Sequence, residues 1–157
     1  MSSIHRRGIL GIALLCSGFS ASLYAAEPYT LDGNDLAFSR EQIAAKDPLF
    51  LQAESALLKK ADAALKHPLY SVMDKTLVAA SGNKHDYYSF PPYWWPNPET
   101  KDGLPYIRKD GQTNPDANSD ATDKNRLVQM SNDVSTLALA WYFSHDDRYP
   151  KKAAVQL

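Results

Sequence analysis

Two stretches of the chain repeat apolar residues at three- and four-residue spacing, and each predicts an amphipathic helix. From about Pro48 to Lys66 the repeat is Phe50, Ala53, Leu57, Ala61 and Ala64. Asp47 stands at the capping position, Pro48 suits a first turn, and His67 and Pro68 end the segment. From about Lys124 to Phe143 the stripe is Leu127, Met130, Val134, Leu137, Ala138 and Trp141, thickened by Leu139, Tyr142 and Phe143. A helix apolar over most of its circumference needs neighbours on several sides. The pattern supplies few of them, so the chain alone is expected to fold poorly. Asp146 and Asp147 open a further helical run with Pro150 in its first turn. That run stops at Leu157 and reads as cut within the helix. The predicted class is all-α.

The N-terminus carries a different pattern. Arg6 and Arg7 precede an apolar run from Gly8 to Phe19, and small residues follow up to Ala25 and Ala26. This is the layout of a secretory signal, with cleavage expected after Ala25 and residues 26–157 as the mature domain. The run is too short for a permanent anchor, since a transmembrane helix needs about 20 apolar residues. The expected location is periplasmic, with no stable membrane anchor. Losing Arg6 and Arg7 from 17 basic residues against 18 acidic ones leaves a formal charge of −3. That balance argues against a nucleic-acid partner. Cys16, the only cysteine, leaves with the signal, so no disulfide framework is available.

Between the helices, residues 81–123 hold six of the ten prolines and three of the seven glycines. A stretch this long without periodicity is functional or disordered. Disordered linkers are poor in aromatics, whereas Tyr87, Tyr88, Phe90, Tyr93, Trp94, Trp95 and Tyr106 fall within twenty residues. An ordered, functional loop is therefore predicted. Aromatic faces stack on sugar rings, and Arg108, Asp110 and Asn114 follow closely as groups able to read hydroxyls. Arg108 can hold a sugar carboxylate through paired hydrogen bonds. Trp94 and Trp95 are adjacent, so one is expected to face inward. The acidic run Asp116, Asn118, Asp120 and Asp123 lacks the glycine and glutamate of a calcium loop and reads as a solvated lead into a helix cap. No metal or cofactor is predicted.

Residues 84–116, KHDYYSFPPYWWPNPETKDGLPYIRKDGQTNPD, resemble the N-terminal signature of the alginate-lyase-like superfamily of polysaccharide lyases, and LALAWYFSHDDRYPKKAA resembles its first long helix pair. Ala79 and Ala80 depart from that pattern, standing where relatives often carry prolines. The resemblance implies the N-terminal portion of an α/α toroid, in an enzyme that cuts a uronic-acid polymer by β-elimination. That reaction needs a group to neutralise the carboxylate, a base for the C5 proton and an acid for the leaving O4. The family's usual Asn or Arg, His and Tyr are not recognisable here as a motif.

Among His67, His85 and His145, only His85 sits beside tyrosines, so it alone can be written as a proton-transfer candidate. The bland assignment for His67 and His145 is a capping or solvent-exposed imidazole. Substrate-binding roles are expected for Asp86, Tyr87, Tyr88, Tyr93, Trp94, Trp95, Arg108, Asp110 and Asn114, with an acidic polysaccharide as partner. For Asp86 and Asp110 a loop-bracing hydrogen bond is the plainer alternative. A non-catalytic acidic-polysaccharide-binding module is the alternative to a lyase.

Overall fold

A computed structural model describes residues 30–157; the signal-like segment up to Ala25 lies outside the described residues. Among the described residues four helices carry the fold: α1 (Gly33–Ala44), α2 (Pro48–Ala64), α3 (Lys124–Ser144) and α4 (Arg148–Gln156). The segment between α2 and α3 contains short 3₁₀ turns at Val72–Asp74 and Pro115–Asn118. It also holds one antiparallel ribbon, β1 (Trp94–Trp95) with β2 (Ile107–Arg108). The structure is all-α apart from that ribbon. Among the described residues no helix is long and apolar enough to cross a membrane.

Helix α2 begins where its sequence places it. The Asp47 carboxylate accepts from Leu49 N at 2.9 Å and from Phe50 N at 3.3 Å, and Pro48 occupies the first turn. Such a cap satisfies amide donors that the helix itself leaves open. Ala61 and Ala64 are buried against Leu137 and Ala140 of α3 and Tyr149 and Ala153 of α4, with Leu57, Leu58, Leu65 and Val134 around them. Four alanines at these contacts let the helix backbones approach closely. Full burial of Leu137 alone contributes about 1.5–3 kcal/mol. The turn after α3 is closed by His145, which adopts a left-handed conformation (φ 56°) and donates its N–H to Trp141 O at 2.8 Å. Pro150 falls in the first turn of α4, where its missing N–H breaks no bond.

Two expectations need correction. The buried line of α3 runs through Asp133, Leu137 and Ala140, whereas Leu127 and Trp141 remain 46% and 43% exposed. The helix is rotated because Asp133 turns inward to meet His67 and Tyr70, which draws its neighbours in phase with it. Helix α1 was not expected at all. Asp32 caps it by accepting from Asn34 N at 2.7 Å. Its Leu36 and Ile43 share an apolar crevice with Phe50, Leu57, Leu139 and Phe143. Phe38 meets Phe50 edge-on, and the Arg40 guanidinium lies over the Tyr142 ring. Helix α1 is thus a neighbour for the late, broadly apolar face of α3.

Candidate functional site

The aromatic segment is ordered by a buried ion. Lys75 is fully buried, and its ammonium lies 2.9 Å from Asp123 Oδ2 while donating to Val72 O at 2.6 Å and Lys84 O at 2.7 Å. Three acceptors match the three donors of an ammonium, which is what makes the burial of its charge tolerable. Asp123 also accepts from Tyr88 N at 2.9 Å through Oδ2, and its own N–H donates to Tyr88 O at 2.9 Å. One carboxylate at the start of α3 therefore joins the Val72–Asp74 turn to the aromatic loop. The acidic run is not wholly solvated as expected: Asp123 is 3% exposed and caps no helix amide with its side chain.

A second buried polar residue holds the loop's far side. Asn114 is 1% exposed; its Nδ2 donates to Trp94 O at 2.8 Å, its Oδ1 accepts from Asp116 N at 3.0 Å, and its backbone N–H donates to Pro92 O at 2.7 Å. Both amide atoms are thus committed within the loop, where Asn114 acts as a brace. Gly103 seals the turn between the two strands. Its φ is +74°, and a Cβ there would stand 3.0 Å from Pro96 Cβ, so a side chain would be both strained and crowded.

On this frame Trp94 pairs directly with Arg108, and Trp95 with Ile107. Directly opposed residues of an antiparallel pair stand on the same face. One face of the ribbon therefore presents the 37% exposed Trp94 ring beside the guanidinium. The other turns the less exposed Trp95 inward, with Lys109 Nζ 4.8 Å from its ring centroid. The two tryptophans do face opposite ways. Arg108 Nε donates to Asp110 Oδ1 at 2.7 Å, which aims the guanidinium and leaves its two Nη groups uncommitted among the described residues. Both side chains of that pair are mostly in water, so its own stabilisation is about 0–1 kcal/mol.

The remaining candidates divide by burial. Tyr93 and Tyr87 are exposed. Tyr88 is half-buried, packs edge-on against Phe90 at 4.9 Å and accepts from Tyr106 Oη at 3.2 Å. Burial, reinforced by Tyr106, raises the Tyr88 phenol well above its ordinary value, so it stays protonated and is a poor base. Asp86 accepts from Ser81 Oγ at 2.6 Å, the loop-bracing bond anticipated for it. His85 is exposed and its N–H donates to Asn83 Oδ1, whereas the Tyr88 hydroxyl beside it in sequence is engaged by Tyr106.

His67 departs from its bland assignment. Its Nδ1 lies 2.9–3.0 Å from both oxygens of Asp133, which also accept from Tyr70 Oη at 3.2 Å and Gln129 Nε2 at 2.9 Å. Burial first, and the Asp133 charge second, raise the Tyr70 phenol. Sequence reasoning passed over Lys75, Arg126 and Asp133. Only Asp133 left a signal, as the acid one turn before Leu137 in a helix whose apolar phase is broad.

The chain and its fold have counterparts among known proteins. The alginate lyase family profile matches residues 71–157. A crystal structure of an alginate lyase from Bacteroides ovatus is 53% identical, with a TM-score of 0.64 over 79% of this chain and 32% of that one. The chain thus spans about a third of that relative's length. No curated protein matches. The helices follow the α/α-toroid fold that the signature implied, with the aromatic loop inserted before α3. The chain belongs to the alginate lyase family.

Proposed function

We propose that this chain is the polymer-holding part of an exported lyase that cleaves a uronic-acid polysaccharide, alginate or a related polymer, by β-elimination. The observation that carries the proposal is the pairing of Trp94 with Arg108 on one face of a braced ribbon. The indole supplies a plane for the apolar face of a pyranose ring, and the free Nη groups supply a fork for its carboxylate. Tyr93 extends the exposed aromatic surface, and Asp110 holds the fork in place.

The role assigned to these residues is binding. Removing the C5 proton needs a base, and expelling O4 needs an acid; an indole beside a guanidinium held by Asp110 is suited to holding a ring and not to moving those protons. Tyr88 favours its neutral form. Secretion to the periplasm, which residues 1–25 predict, would bring the chain to polymer present in that compartment.

The test is incubation of the full chain with polymannuronate, polyguluronate and glucuronan, following ultraviolet-absorbing unsaturated uronides, alongside electrophoresis through gels containing each polymer. Polymer-retarded migration that Trp94→Ala and Arg108→Gln abolish is the expected result. Migration unaffected by every polymer would refute the holding role. Unsaturated product would decide for the lyase over the non-catalytic binding module; retardation without it fits the binding role assigned here under either reading.

A further inference from the structure

A groove of about 150 Å³ lies away from the ribbon, between Tyr70–Val72 and the first turns of α3, lined also by Tyr87, Asp123, Arg126, Leu127 and Met130. We infer that this groove is a subsite for a single uronate residue, with Arg126 facing its carboxylate, Asp123 Oδ1 accepting from a ring hydroxyl, and Tyr70 and Tyr87 as its walls. This rests on the proposed binding of an acidic polysaccharide and adds a second point of contact to it.

Three observations converge there. First, Asp123 is 3% exposed, yet its Oδ1 is buried with no hydrogen-bond partner, while its Oδ2 is fully used by Lys75 and Tyr88. A buried carboxylate oxygen left open is destabilising, and a donor arriving in the groove would relieve that. Secondly, Arg126 is half-buried and held by carbonyls alone: Nη1 donates to Thr122 O at 2.7 Å, and Nη2 to Asp120 O at 2.7 Å and Asp74 O at 3.2 Å. Among the described residues no carboxylate neutralises it. Its Nε and one Nη1 hydrogen are unspent. Thirdly, Asp123 at the N-cap of α3 and Arg126 in its first turn stand three residues apart with helical backbone angles at Asp123, which puts them on one side of the helix start.

The charges choose the ligand class. A metal cation is disfavoured, because the Lys75 ammonium already sits 2.9 Å from the only buried carboxylate of the groove. A compact polyanion such as phosphate would meet Asp123 without bringing enough donors. A ring that carries hydroxyl donors and one carboxylate satisfies both the open Oδ1 and the unpaired guanidinium. Tyr70 is fixed for its part, since its hydroxyl is engaged by Asp133 and only its ring borders the groove.

The test compares retardation of the full chain in gels of polymannuronate and of the same polymer after carboxyl reduction, with folding checked by thermal melting. Arg126→Gln is expected to weaken retention on the acidic polymer about tenfold and to leave retention on the reduced polymer unchanged. Leu127→Trp fills the groove without touching the carbonyls that Arg126 holds, and is expected to weaken both. If Arg126→Gln does not fold, Leu127→Trp decides alone. Undiminished retention of Leu127→Trp, with Trp94→Ala still weakening, would overturn the subsite and leave the ribbon as the binding face. Absence of any retention by the unaltered chain would overturn both.

Discussion

Lys75 Nζ and Asp123 Oδ2 lie 2.9 Å apart with both side chains withdrawn from water, and the aromatic loop is built across that contact. Lys75→Met would leave a carboxylate buried without its counter-charge. The expected loss is about 3–5 kcal/mol, a large share of a domain's whole stability. Urea unfolding monitored by tryptophan fluorescence measures it. The double variant with Asp123→Asn should recover part of the loss, because the uncompensated charge goes with it; no recovery would mean that the pair acts only through its backbone hydrogen bonds.

Asn114→Ala removes two side-chain hydrogen bonds, one of them to Trp94 O. A cost of about 1–3 kcal/mol is expected. It should appear locally: limited proteolysis between Pro92 and Asn114 accelerates while helical circular dichroism is retained. Proteolysis at the unaltered rate would show that Gly103 and the ribbon suffice to hold the turn.

The tryptophans should separate binding from stability. Trp94→Ala is expected to weaken polymer retention with a stability change within about 0.5 kcal/mol, as for exposed substitutions. Trp95→Ala should lower stability by about 1–3 kcal/mol through lost packing and the lost contact with Lys109. Equal effects of the two on retention would show that the ribbon twists away on binding.

Alkaline pH should loosen the fold. Tyr88 and Tyr70 have folded-state values raised above the ordinary 10.0, chiefly by burial. Their contribution is therefore complete below pH 10.0 and is lost as pH rises through the folded values. Melting temperature should fall progressively above pH 10, and the fall should be shallower in Tyr88→Phe. An identical slope in the variant would assign the loss to other groups.

Helices α2, α3 and α4 were legible because their caps, prolines and apolar spacing agree with one another. The rotation of α3 was not, since periodicity counts apolar residues and the innermost position of one turn is Asp133. Helix α1 escaped because Leu36, Phe38 and Ile43 form no continuous stripe; it is stabilised by what it covers. In the loop, the density of aromatics announced order, and adjacency alone showed that Trp94 and Trp95 must diverge. Which side chains reach the surface depends on Lys75 and Asn114, and a lysine or an asparagine in a polar segment looks like any solvated residue until its partners, dozens of positions away, are known.

Tyr88 and Asp123, 35 positions apart, hold each other through two reciprocal hydrogen bonds, from Tyr88 N–H to the Asp123 carboxylate and from Asp123 N–H to Tyr88 O. A covalent bridge across that separation would remove about 4 kcal/mol of freedom from the unfolded chain. The clasp does no such thing, because it exists only when the first turn of α3 exists. Reductants have nothing to cut in it. The loop's order is thus tied to the folding of α3, and it should vanish with that helix in one cooperative step, whatever the redox poise of its surroundings.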